Sequence, residues 1–206
     1  TLKISIKVPH HPELIDDSID EVWYSAAITP NSFGYAELEK ARQLGIPHLT
    51  FAEAGARFFN RAETRVAVAG THGKSTTTAM VGWILEYAGY DPVVAVGADF
   101  RPWKGSARIG SGRIFVIEAD EYAKRFLELR PTHCVVTSID PDHFDTYPTE
   151  ADLLAGFRQF VELCENVLVV NGQSARVWQA VSEHHGKIIY YGFGPENDLD
   201  VWIETR

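Results

Sequence analysis

Val68-Ala-Gly-Thr-His-Gly-Lys-Ser-Thr-Thr-Thr78 decides the fold. The run that leads into it, Arg65–Ala69, is short, apolar and bounded by a glycine, as a buried strand would be. Ser75–Ala88 follows with the length of a helix, and Gly89 stops it. Strand, glycine turn, lysine and helix start together make an anion cradle. Gly70 and Gly73 let the backbone turn tightly and approach a phosphate closely. The N–H groups at the start of the helix face the anion, and the helix dipole adds favourable charge. Lys74 is placed to neutralise phosphate oxygens, and the Ser75 hydroxyl to sit on Mg²⁺. The common P-loop pattern also asks for a glycine where Val68 stands, so the motif here is the shorter G-T-x-G-K-[ST]-[ST].

Outward from this stretch, strand and helix patterns alternate. Downstream, strands are expected at Pro92–Val96, Arg113–Glu118, Thr132–Ile139, Val167–Val170 and Ile188–Tyr191, with Leu199–Ile203 as a last strand, read as antiparallel. Gly97–Gly112 reads as a loop or ribbon carrying Arg101, Lys104 and Arg108. Helices are expected at Lys124–Leu129, Thr149–Cys164 and Ser174–His184. Upstream, Leu2, Ile4, Ile6 and Val8 alternate as in a half-buried strand, and Val22–Ala27 and Ile46–Phe51 are further strand candidates. Asn31-Ser32 offers a cap for a helix over Tyr35–Leu44, and Ala52–Asn60 is another helix. The alternation implies an α/β fold with right-handed crossovers and a mainly parallel sheet, with a boundary near residue 63.

Two further strand ends carry polar motifs. Phe115-Val-Ile-Glu-Ala-Asp-Glu-Tyr122 delivers Glu118, Asp120 and Glu121, and in open α/β sheets the carboxyl ends of strands form the ligand crevice. Glu118 there suits the Mg²⁺ shell of a nucleotide. The alternative, a solvated acidic loop, suits Asp120 and Glu121 better. Thr137-Ser-Ile-Asp-Pro-Asp-His-Phe-Asp-Thr-Tyr147 brings Asp142, His143 and Asp145 close in sequence, either as metal ligands or as a capping loop with a surface histidine. His10 and His11 read as solvated loop residues.

Composition sets the limits. The chain has 206 residues, 45% hydrophobic and 23% charged, enough for one or two domains. Twenty-eight acids against nineteen bases, a net charge of −9, argue against nucleic-acid or membrane-surface binding, which needs a basic field. No apolar run is long enough to span a membrane. Cys134 and Cys164 lie in apolar stretches without metal spacing and read as reduced core residues of a cytoplasmic protein. Nothing in the sequence sets an oligomeric state.

Ala69-Gly-Thr-His-Gly-Lys-Ser-Thr-Thr-Thr-Ala-Met80, Ile117-Glu-Ala-Asp-Glu-Tyr122 and Asp140-Pro-Asp-His-Phe-Asp-Thr-Tyr147 together resemble the Mur ligases, ATP-dependent amide-forming enzymes of peptidoglycan synthesis. Within the family they are most similar to the branch that joins L-alanine to UDP-N-acetylmuramate. The branch that recycles a murein tripeptide onto the same nucleotide sugar is the alternative, and a P-loop phosphohydrolase of another family is a second. The resemblance implies a P-loop-type central ATP-binding domain over residues 64–206, incomplete, preceded at 1–63 by the C-terminal part of a UDP-binding Rossmann-like domain.

It also implies roles. Lys74 would bind ATP phosphates. Ser75 and Glu118 would hold one Mg²⁺ and His143 a second. Gly70, Thr71, His72, Gly73, Thr76 and Thr77 would line the phosphate loop. The carbamylated lysine of many relatives has no counterpart, since no lysine occurs between Lys124 and Lys187 and its neighbourhood reads Phe157-Arg158-Gln159. The implied reaction has two steps: phosphorylation of the muramoyl carboxylate to an acyl phosphate, then attack by the amine with loss of phosphate. A start at Thr1 in a strand-like run, and the absence of the family's opening glycine-rich loop and C-terminal domain, lead to the expectation of an internal piece of a longer enzyme that is inactive alone.

Overall fold

The computed structural model describes residues 5–25, 27–194 and 199–203. The chain divides into two compact units, residues 1–57 and 58–206.

In the first unit, β1 (Val22–Tyr24) and β2 (His48–Thr50) form a two-stranded parallel sheet, with α1 (Tyr35–Gln43) between them in sequence. Gly45 ends α1 at φ +69°, a left-handed turn that glycine makes without strain. The expected Asn31-Ser32 cap is not used: Gly34 precedes α1 without a side-chain hydrogen bond, while the Ser32 hydroxyl accepts from Thr29 N. The cap forms one element later. Thr50 and Glu53 make a reciprocal capping box at the start of α2 (Phe51–Phe59): Glu53 N donates to Thr50 Oγ1 and Thr50 N to Glu53 Oε2.

Among the described residues no strand forms at the N-terminus. Leu2 and Ile4 lie outside the described residues, and Ile6 and Val8 are 84% and 83% exposed in extended chain with no pairing partner. Alternation makes a strand only where a sheet receives it. The Val22–Ala27 candidate shortens to three residues with Trp23 partly exposed, and Ala26 lies outside the described residues.

The second unit is an eight-stranded sheet. Its strands are β3 (Thr64–Ala69), β4 (Val93–Phe100), β5 (Gly105–Arg108), β6 (Ile114–Glu118), β7 (His133–Val136), β8 (Val167–Asn171), β9 (Lys187–Phe193) and β10 (Val201–Ile203). They lie in the order β10-β9-β8-β7-β3-β6-β4-β5, and only the β4–β5 pair is antiparallel. β10 is parallel to β9, contrary to the antiparallel expectation, and Asp200 pins its start: Tyr190 N donates to Asp200 Oδ2 and Asp200 N to Tyr190 O. The anticipated ribbon is the β4–β5 hairpin. Its Arg108 is not free for a ligand, because it pairs with Glu86 and Asp91, both at 2.9 Å.

The helices of this unit are α3 (Lys74–Tyr87), α4 (Glu150–Glu162) and α5 (Ala175–Val181). Helix α3 packs on β3, β4 and β6. Ala79 joins Val94, Val96 and Val116 in one apolar cluster, with Leu85 and Trp103 at its margin. Gly82 permits this approach, since a Cβ there would lie 2.7 Å from Val94 Cγ2. Helix α4 carries a second apolar group, in which Phe160 stacks on Phe126 with centroids 4.8 Å apart. Central β3 is fully buried at Ala67, Val68 and Ala69. Both cysteines are free and buried. β3 lies between β6 and β7, so chain connections diverge on either side of its carboxyl end, where a crevice opens.

Candidate functional site

Three loops leave the sheet at that crevice, after β3, β6 and β7. Residues 70–73 follow β3. Gly70 takes φ +131° and Gly73 φ +82°, conformations that favour glycine. At Gly70 a Cβ would also collide with Thr137 Oγ1 and the Ser138 backbone. The loop is laced to the chain after β7. Thr71 N donates to Ser138 O at 2.9 Å and His72 N to Ser138 Oγ at 3.0 Å. Asp140 N donates to Thr71 Oγ1 at 2.9 Å, and Thr137 Oγ1 donates to His72 O at 2.5 Å.

Helix α3 opens at Lys74, and Thr77 N donates to Gly73 O. Ser75 and Thr76 line a cleft of about 370 Å³ walled by Met80, Trp83 and Phe100. Lys74 turns back over its own loop. Its Nζ donates to Gly70 O at 2.7 Å and to Glu121 Oε1 at 3.0 Å, and lies 3.0 Å from Glu121 Oε2 as well.

Glu121 is the functional candidate that the sequence reading passed over as solvated. It is 1% exposed. A carboxylate flanked by Ala-Asp and Tyr looks like surface in one dimension. Its backbone is held by Tyr147, twenty-six positions on, whose hydroxyl donates to Glu121 O at 2.8 Å. Tyr147 is itself 1% exposed and its ring lies against Gly156 of α4, where a Cβ would come within 2.8 Å of Cε1. Burial, with the nearby Glu121 and Asp120 charges, pushes the Tyr147 phenol well above its ordinary pKa, so it stays a donor. Asp120 matches its reading as an outer residue: it pairs with Arg125 at 3.2 Å and accepts from Tyr122 N.

His143 stands on the third loop at φ +53°, and its carbonyl accepts from Thr146 N and Tyr147 N. Its Nε2 lies 3.6 Å from Glu121 Oε1, and its ring meets Tyr122 edge-on at 5.3 Å. Lys74, Glu121 and His143 therefore form one contiguous group. Glu118 is placed apart from it in direct contacts. At the end of β6, opposite Val68 in register, its carboxylate accepts from Gly97 N at 2.6 Å. A Cβ at Gly97 would sit 2.5 Å from Glu118 Oε1, so a larger residue there would displace the Glu118 carboxylate from this position.

Among the described residues no three His, Cys, Asp or Glu side chains converge as a metal cage, and Asp142, His143 and Asp145 are not brought together as one. Mg²⁺ seldom needs such a cage, because it commonly takes one or two carboxylates and fills its shell with phosphate and water oxygens. The hydroxyl of Ser75 and the carboxylate of Glu118 are hard donors of that kind. At Gly70 a side chain would collide with the loop after β7, and the first amides of α3, which opens at Lys74, are free of helix partners and can face phosphate.

Comparison with known proteins gives the family. The profile of the Mur ligase middle domain matches residues 68–205. The UDP-N-acetylmuramate–L-alanine ligase of Caldanaerobacter subterraneus subsp. tengcongensis is 34% identical over 195 residues, 94% of this chain and 42% of that protein. The enzyme of the same name from Sorangium cellulosum is 42% identical over 160 residues, 78% of this chain and 33% of that protein. The chain thus spans less than half the length of these relatives. Among solved structures, a UDP-N-acetylmuramate:L-alanyl-γ-D-glutamyl-meso-diaminopimelate ligase from Neisseria meningitidis superposes with a TM-score of 0.73 at 25% identity, over 84% of this chain and 59% of that one. With its middle-domain profile matched from the phosphate loop through the last described strand, the chain belongs to the Mur ligase family.

Proposed function

We propose that this chain is the nucleotide-phosphate half of an ATP-dependent amide ligase, one that joins L-alanine to UDP-N-acetylmuramate in the cytoplasm. The observation that carries the reading is the meeting of Lys74, Glu121 and His143 at the ends of adjacent strands, beside a glycine cradle. Residues 64–206 are assigned to the ATP-binding domain and 1–63 to the end of the UDP-binding one.

The chemistry brings two anions together, a substrate carboxylate and the γ-phosphate of ATP, so charge neutralisation is the main requirement. Lys74 and the N–H groups at the start of α3, residues 73–76, bind and orient the phosphates. Ser75, Glu118 and His143 would hold Mg²⁺, which withdraws charge from the phosphate oxygens when bound. A carboxylate oxygen attacks the γ-phosphorus and the bond to ADP breaks. The amine nitrogen then attacks the acyl carbon, phosphate departs, and the amine loses a proton. Because the ligases it resembles are more than twice as long, the 206-residue chain is expected to bind ATP without completing ligation.

Calorimetry with Mg-ATP tests the site. Lys74→Ala is expected to weaken affinity roughly ten- to a hundredfold, the value of a charge-assisted contact, and His143→Ala to weaken it several-fold. Parent-like affinity in both variants would refute the assignment. Binding of UDP-N-acetylmuramate by the same chain separates the ligase from a general P-loop phosphohydrolase.

A further inference from the structure

We propose that Glu121 is a positioning residue that sets the placement of the Lys74 ammonium relative to the His143 imidazole; this rests on the ligase reading above and deepens it. Glu121 contacts both groups. Lys74 Nζ is 3.0 Å from each of its oxygens, and His143 Nε2 is 3.6 Å from Oε1. Its carboxylate is buried, and Oε2 has no hydrogen-bond donor of its own, only the ion pair.

A buried carboxylate in that condition is costly, and an apolar residue of similar volume would commonly serve stability as well or better. Its presence is explained by what it fixes. A lysine ammonium on four methylenes is a mobile point charge. Here Gly70 O and the Glu121 carboxylate hold it from two sides over the mouth of the phosphate loop. The same carboxylate faces His143, on a loop otherwise linked to residue 121 through the Tyr147 hydroxyl. One buried anion thus gives two site groups from different loops a common reference point.

The test is a chemical-shift titration of the 206-residue chain with Mg-ATP, which reads dissociation constants into the millimolar range. Glu121→Gln is expected to weaken binding about tenfold, the scale of one charge-assisted contact. The Glu121→Gln, Lys74→Ala double variant should bind no more weakly than Lys74→Ala alone, because both changes remove the same arrangement. Tyr147→Phe removes the hydroxyl that holds the Glu121 carbonyl but leaves the carboxylate. It should lower the melting temperature and keep affinity within about twofold of the parent.

Parent-like or tighter binding by Glu121→Gln, multiplication of the two losses, or an equal loss in Tyr147→Phe would each overturn the proposal. If Glu121→Gln shows no cooperative melt, the same cycle is run with Glu121→Asp, which keeps the charge and withdraws it by one methylene. A parent chain that binds no Mg-ATP would overturn the ligase reading and this inference together. Binding by the parent with an unaffected Glu121→Gln would overturn this inference alone.

Discussion

Gly70 shows how narrowly single residues are specified here. Its φ of +131° lies where side chains rarely go, and a Cβ would strike Thr137 and Ser138 at once. Gly70→Ala is therefore expected to cost about 3 kcal/mol in urea denaturation and to lose Mg-ATP binding in the same variant, since the loop must move to relieve the clash. The need for glycine, and the place of Lys74, were legible in the sequence because a strand, a turn and a helix start are contiguous. Glu121 was not. Its contacts are with Tyr147 and Lys74, partners that only the folded chain brings near. Residue type indicated a carboxylate at a strand end, and which of Glu118, Asp120 and Glu121 turns inward depends on packing.

Among the elements, α4 is the clearest case of sequence acting locally. Thr149 accepts from Asp152 N, and Asp152 returns the bond to Thr149 N, a full capping box. Thr149→Ala is expected to cost about 1 kcal/mol, read as a lower urea midpoint with unchanged slope. The apolar period of α4 and the length of α3 are local facts and were legible in the sequence; the cap of α4 was not read there, and the one cap that was, Asn31-Ser32, is not used. Strand order is not local. Nothing in Ile114–Glu118 says that it lies between β3 and β4, nor that β10 runs parallel to β9. The described part of the N-terminal alternation, Ile6 and Val8, joins no sheet for the same reason, because a period of two describes a strand's faces and not the neighbour that must pair with it.

At the scale of the whole molecule, pH links the parts. Burial lowers the pKa of His133 on β7, and burial with the neighbouring His185 lowers that of His184. For both, the folded chain resists protonation more than the unfolded chain does. Stability is therefore full above the ordinary histidine range and falls as pH drops through about 6.5, where the unfolded state takes up protons first. Thermal melts at pH 7.5 and 5.5 should show a lower midpoint at the acid end. The His133→Gln, His184→Gln pair should flatten that difference, while a pH-independent midpoint in the parent would contradict the assignment. The chain's net charge of −9 sets no obstacle to an anionic ligand, because Lys74 and the amides of the loop gather positive potential in one crevice.

The lacing of residues 70–73 to Thr137, Ser138 and Asp140 has a thermodynamic corollary. Backbone freedom in a glycine-rich loop is expensive to remove, about 1–2 kcal/mol per residue. Because the neighbouring loop imposes the shape, that entropy is surrendered when the sheet folds and not when a ligand arrives. The cradle is stiff before use, so a phosphate that enters it meets a backbone whose ordering has been settled by folding, and its binding free energy is spared that deduction.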